Sequence, residues 1–194
     1  MRIWKLGQAL AFVALLGAGC GSSDRPGTAS ATASATTKTQ AVQSATNAPG
    51  IIPLSESPTQ AQAKLRTIKL WLGPEELITE LALSPKEVET GMMFRTNMPE
   101  NEGMLFVFAN PFRASFWMRN TLLPLSCAYI DPDGVILEEH DMKPKDETPI
   151  RADTERVQYV LEVNQGWFKR HNIAVGTQVR TERGSLAETF FRKQ

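Results

Sequence analysis

Alternation of apolar and polar positions begins at Arg66. From there to Leu72, Ile68, Leu70 and Leu72 share one face of a two-residue period, which predicts a first strand. Leu77 to Leu83 is apolar with polar breaks and predicts a second, with Gly73-Pro74 turning between them. Ser84-Pro85-Lys86-Glu87 then opens a helix. Ser stands at the N-cap, Pro at the first helical position and Glu three residues beyond the cap, the signature of a capping box. Gly91 ends that helix early, and Val88 and Met92, four apart, point to the core.

Met92 to Pro99 has no period. Two short runs rich in aromatic and thioether side chains follow, Met104–Phe108 and Phe116–Met118. The turn-forming pair Asn110-Pro111 lies between them, so they read as two buried strands joined by a turn, with polar Arg119-Asn120-Thr121 at their edge. Leu125 to Ile130 and Gly134 to Glu139 flank Asp131-Pro132-Asp133-Gly134, a hairpin signal. Asp141 to Glu155 is polar and reads as a long surface loop. Val157, Tyr159, Leu161 and Val163 alternate on one face of a further strand. Gln165 to His171 suits a helical turn bearing Trp167 and Phe168, Gly176 to Arg183 a closing strand, and the tail Phe190–Gln194 receives no element. The fold class expected is mostly β: a small single-domain β-sandwich or barrel-like fold with one or two short helices.

Composition is globular, with 42% hydrophobic and 22% charged residues in a chain of 194. Its 21 basic and 21 acidic residues cancel, so no overall field draws in nucleic acid, and no nucleic-acid partner is expected.

The N-terminus changes the picture more. Arg2 and Lys5 precede a brief apolar run, Ala9 to Ala18, too short for a permanent membrane span of about 20 residues. Leu16-Gly17-Ala18-Gly19-Cys20 resembles the lipobox of bacterial lipoproteins, although Gly17 stands where those sequences prefer Leu. Residues 1–19 are therefore read as a signal peptide and Cys20 as the lipidation site. Ordinary cleavage near Ala18, leaving Cys20 a free thiol, is the alternative. Residues 20–50, dominated by Gly, Ser, Thr and Ala, form a flexible tether whose ends would stand roughly 30 Å apart. A lead-in covers 51–65, the β domain 66–183 and a tail 184–194. The expected location is the bacterial cell envelope, the protein lipid-anchored to a membrane with its domain on the periplasmic or extracellular side. With Cys20 lipidated, Cys127 has no partner and no disulfide is expected.

Several motifs, taken in order, resemble one family. They are Glu80-Leu81-Ala82, Gly91-Met92-Met93-Phe94-Arg95, Gly103 to Phe108, Phe116 to Thr121 with Pro124-Leu125, Tyr129-Ile130-Asp131, and Val160 to Asn164 with Gly166. Together they are similar to the family called domain of unknown function 192, over about residues 66 to 183. The resemblance implies a small, mostly β, often exported domain of bacteria and archaea and implies no activity. This chain has Ser126 where the family usually has Asp after Pro-Leu.

Three kinds of chemistry can be weighed from the residues. His140 and His171 neighbour no second His or Cys at ligand spacing, so no metal and no cofactor are expected. Met92, Met93, Met98, Met104 and Met118 are soft ligands that would suit Cu(I), against the alternative that they fill gaps between aromatics. A hydrolase of an envelope polymer would draw its carboxylates from Glu80, Glu102 or Glu162, with Arg95; the alternative is that Glu80 and Glu162 pair structurally with Arg95 or Arg119. Ser115, Ser126 and Cys127 are available nucleophiles with His140 as base, but no nucleophile elbow accompanies them. A ligand-binding site would combine Arg95, Trp117, Arg119, Asn120 and Thr121, an aromatic face beside polar groups suited to a small molecule or cell-wall component. The leading expectation is a binding or accessory module.

Overall fold

The computed structural model describes residues 57–192; the predicted signal peptide, Cys20 and the tether lie outside them. Ten strands and three short helices succeed one another as β1 (Thr67–Leu72), β2 (Glu75–Ala82), α1 (Pro85–Thr90), β3 (Glu102–Phe112), β4 (Ser115–Phe116), β5 (Leu125–Ile130), β6 (Ile136–Met142), β7 (Ile150–Arg151), β8 (Val157–Asn164), α2 (Trp167–Arg170), β9 (Val179–Thr181), β10 (Gly184–Ser185) and α3 (Leu186–Phe191). The described residues belong to one compact unit, mostly β as the sequence pattern predicts.

Eight strands form one sheet in the order β10-β9-β1-β2-β3-β8-β5-β6, while β4 and β7 pair separately. Only β2 and β3 run parallel. A parallel pair needs a crossover, which α1 and the loop after it supply. The sheet curls: Val135 bridges Gln178, Ile136 N–H donates to Thr177 O at 2.9 Å and Val179 N–H to Gly134 O at 2.7 Å. These bonds draw the two ends together on one side without closing the sheet into a barrel.

The curl explains two apolar cores. Inside it lie Leu70, Leu72, Leu77, Leu105, Tyr159, Leu161, Trp167 and Val179. On the opposite face lie Met104, Phe106, Cys127, Tyr129 and Val160, covered by Met92, Met118 and Ala152 from the loops. Burial on both faces is why β5 and residues 157–163 of β8 are buried throughout, not on one alternating face.

Local chemistry accounts for the joints. Gly73, at φ +60, opens the two-residue link between β1 and β2, where Gly is favoured. The capping box at Ser84 is present: Glu87 N–H donates to Ser84 Oγ at 3.3 Å and Ser84 N–H to Glu87 Oε2 at 2.8 Å. At the hairpin, Asp131 Oδ1 accepts from Asp133 N–H and Val135 N–H, fixing the turn its sequence predicts.

Three expectations need correction. Asn110-Pro111 is not a turn, since β3 runs through both to Phe112. The ladder to β8 is interrupted between Val107 and Phe112, so Pro111 is spared the pairing its missing N–H would spoil. The loop from Asp141 is shorter than predicted, because β6 reaches Met142 and β7 pairs with β4. The tail is also structured. Ser185 and Glu188 form a second capping box, and α3 buries Leu186 while Phe190 packs 6.2 Å from Tyr159.

Candidate functional site

One row of side chains crosses the outer face of the sheet: Glu80 on β2, Met104 on β3, Glu162 on β8, Cys127 on β5 and His140 on β6, each the register partner of the next. Directly paired residues project to the same face, so these five chains stand side by side. The candidates that the sequence singles out are distributed along this row and above it.

Glu80 is closed off. Arg95 Nη1 and Nη2 donate to its two carboxylate oxygens, both at 2.8 Å, and Leu65 N–H donates to Oε2 at 2.6 Å. A bidentate pair of this kind, with Glu80 5% exposed, is a structural clamp that fastens the loop after α1 to the sheet. Arg95 is therefore spent on Glu80 and does not line the cavity described below. Glu102 is held by Lys64 Nζ at 2.9 Å near the surface. Two of the three carboxylates named for hydrolysis are thus held in ion pairs.

Glu162 differs from both. It is 4% exposed, and no hydrogen bond or ion pair within the described residues reaches its carboxyl. Burial alone pushes its pKa up to about 8, because an unpaired carboxylate loses its hydration without compensation. Beyond it lies a cavity of about 230 Å³. Its walls include Phe106, Phe108, Phe116, Trp117, Met92 and Met93, and Arg119, Asn120 and Thr121 line it too. Four of the five residues expected to bind a ligand thus meet there, together with one of the three carboxylates.

The walls are built by local rules. Gly91, at φ +47, ends α1, and a Cβ there would meet Phe106 Cζ at 3.3 Å, so the chain passes close over that ring. Two loops then lock together: Phe94 N–H donates to Asn120 O at 2.9 Å, and both residues have positive φ, 60° and 54°. Thr121 N–H returns to Met118 O at 3.0 Å, so Arg119-Asn120-Thr121 is a tight turn as well as a cavity wall. Phe116 stands edge-on to Phe106 at 5.0 Å and to Phe108 at 6.4 Å. Trp117 is 43% exposed, with the Arg119 guanidinium 5.6 Å from its ring centroid.

The remaining candidates lie elsewhere. Cys127 is buried and its thiol is pushed well above its ordinary range by desolvation, an inert setting. His140 Nε2 lies 3.0 Å from Glu138 Oε2. Ser126 faces away from the cavity: its hydroxyl donates to Asp141 Oδ1 and accepts from Gly166 N–H at 2.8 Å, which orients the turn into α2. Ser126 is thus a joint of the fold on the opposite side of the sheet. Met92, Met104 and Met118 pack together with Cys127 in the outer core. Among the described residues no group of three or more His, Cys, Asp or Glu side chains could hold a metal ion.

The sequence reading missed the aromatic lining of the cavity. Its signal was present, since Phe106 and Phe108 alternate on one face of β3 and Phe116 follows, but a buried aromatic reads equally as core.

No curated protein matches the chain. The solved structures that resemble it include the following two. A candidate transcription regulator from Sinorhizobium meliloti 1021 is 34% identical, with a TM-score of 0.59, 62% of this chain covered and 98% of that one. A protein of unknown function from Novosphingobium aromaticivorans DSM 12444 is 33% identical, with a TM-score of 0.58, 69% of this chain covered and 92% of that one. The family model of domain of unknown function 192, described as Uncharacterized ACR, matches residues 71–181. These residues make up more than half of the chain, which belongs to the family of domain of unknown function 192.

Proposed function

We propose that this protein is a lipid-anchored envelope module that binds a small molecule in the cavity between the outer face of the sheet and the Trp117–Thr121 turn. The observation that carries the reading is Glu162, a buried carboxyl without a partner among the described residues, beside a cavity lined by aromatic rings and thioethers. Leaving such a group unpaired costs the fold stability, and a ligand that satisfies it returns the cost as affinity. The volume of about 230 Å³ suits an organic ligand, since an apolar cavity of about 150 Å³ already accepts benzene.

Arg119 and Asn120 at the rim provide polar contacts for orientation. The hydrolase alternative finds less support, because Glu80 and Glu102 are engaged by Arg95 and Lys64. So does copper binding, because Met92, Met104 and Met118 are packed in the core among apolar neighbours.

Trp117 is the natural reporter. Binding of small molecules or cell-wall fragments is expected to change tryptophan fluorescence saturably, and Trp117→Phe is expected to remove that change. Silence across a broad panel counts against the reading. Anchoring is tested separately: palmitate labelling is expected to disappear in Cys20→Ala, and its persistence would refute the anchor.

A further inference from the structure

Building on the reading of this cavity as a ligand site, we infer that it takes an organic ammonium ion, whose charge is met by Glu162 and by the rings of Phe106, Phe116 and Trp117. The argument is one of charge and lining. Glu162 is 4% exposed and has no counter-ion among the described residues. Among the described residues Arg95 is committed to Glu80 by two bonds of 2.8 Å, and Arg119, at the cavity rim, lies 5.6 Å from the Trp117 ring centroid and makes no ion pair with Glu162. The ionised form of Glu162 thus has no paired cation among the described residues, and a cationic ligand would supply one. Ring faces and thioethers attract cations through the aromatic quadrupole and polarizable sulfur, and aromatic boxes of this kind suit quaternary and alkyl ammonium groups. An anion would meet a carboxyl and π-faces together, and a purely neutral ligand would leave Glu162 protonated and gain nothing from its charge.

Few other charges bear on Glu162. Met104 on β3 is uncharged, and Glu80 on β2 is covered by Arg95. Cys127 on β5 keeps its proton, and His140 on β6 is engaged by Glu138. Glu89 on α1 and Arg119 on the loop complete the cavity wall. At neutral pH the free carboxyl is mostly protonated, with its pKa near 8. Entry of the ammonium ion releases that proton to solvent and leaves a carboxylate facing the cation. Affinity consequently rises by up to about tenfold per pH unit below that midpoint and levels off above it.

The test uses choline, its neutral carbon isostere 3,3-dimethylbutan-1-ol and the anion 3,3-dimethylbutanoate, titrated into the protein by calorimetry and tryptophan fluorescence. The expected result is choline binding at least about tenfold tighter than either isostere, tightening between about pH 6 and pH 8 and losing both the preference and the pH dependence in Glu162→Gln. The isostere comparison on the unaltered protein stands even where the variant fails to fold. Equal or tighter binding of the neutral alcohol, independent of pH, overturns the ammonium assignment while leaving the cavity a ligand site. Binding of none of the three, while other small molecules displace tryptophan fluorescence, overturns it likewise; silence of every compound overturns both readings.

Discussion

Glu80 and Glu162 flank the same residue, Met104, in one row across the sheet, yet only Glu80 has a counter-charge. The same residue type in neighbouring positions thus has two fates. Where Arg95 arrives from the loop after α1, the carboxylate becomes a clamp. Two strands further on, no cation among the described residues pairs with Glu162, and its carboxyl faces a cavity.

The unpaired carboxyl gives stability a pH dependence. Glu162 titrates near 4.5 when exposed to solvent and near 8 in the fold. Its contribution is fully present below the lower value and is lost as pH rises through the upper one, because the folded state holds the proton longer. Melting temperature is expected to fall across that window, and Glu162→Gln to remove this component of the fall. At about pH 9 the variant should be the more stable by on the order of a few kcal/mol, measurable by urea denaturation at each pH.

The clamp is tested by removing its cation. Arg95→Ala leaves the buried Glu80 carboxylate without its bidentate partner and is expected to cost about 3–5 kcal/mol in chemical denaturation. Lys64→Ala breaks an ion pair whose lysine side chain is 57% exposed and should cost under about 1 kcal/mol. Equal losses from the two would show that the Glu80 pair is no more than surface decoration.

Gly103 tests the close approach of β3 and β8. A Cβ at this position would meet Glu162 O at 2.7 Å, and backbone cannot swing aside as a side chain can. Gly103→Ala should cost about 1–3 kcal/mol and displace Glu162, altering its titration. Gly73→Ala, where nothing lies within 4 Å, should cost about 1 kcal/mol for its positive φ alone.

Ser126 offers a test of the Asp that the family resemblance leads one to expect after Pro124-Leu125. Its hydroxyl joins Asp141 to Gly166, so Ser126→Asp sets two carboxylates against each other. The variant should be destabilised at pH 7 and recover as the pH falls through the carboxylate range, followed by thermal melts. Full stability at pH 7 would mean that the joint tolerates either residue.

The sequence carried the secondary structure well where local chemistry decides it. The Ser84 box and the Asp131 turn follow from side chains acting on their own backbone, and the strands over 67–72 and 125–130 follow from short apolar runs that the sheet buries. It misled where the tertiary setting decides. Pro111 looks like a turn until the interrupted ladder beside it is seen, and Ser185 with Glu188 is as clear a capping box as Ser84 with Glu87, overlooked because it follows the last apparent strand. At the site, Trp117 to Thr121 stood out by composition. Nothing in a linear pattern separates Glu162 from Glu80, since only the arrival or absence of Arg95 across the fold does so.

The most direct measurement is the pH titration of the Glu162 side-chain carboxyl by carbon-13 NMR, with Glu162→Gln to assign its resonance. A midpoint near 8 in the ligand-free protein, moving down when choline is added, is the result that a buried, unpartnered carboxyl facing an ammonium site requires. A midpoint near the ordinary 4.5, unmoved by choline, would show a carboxylate already solvated or paired and would contradict the account.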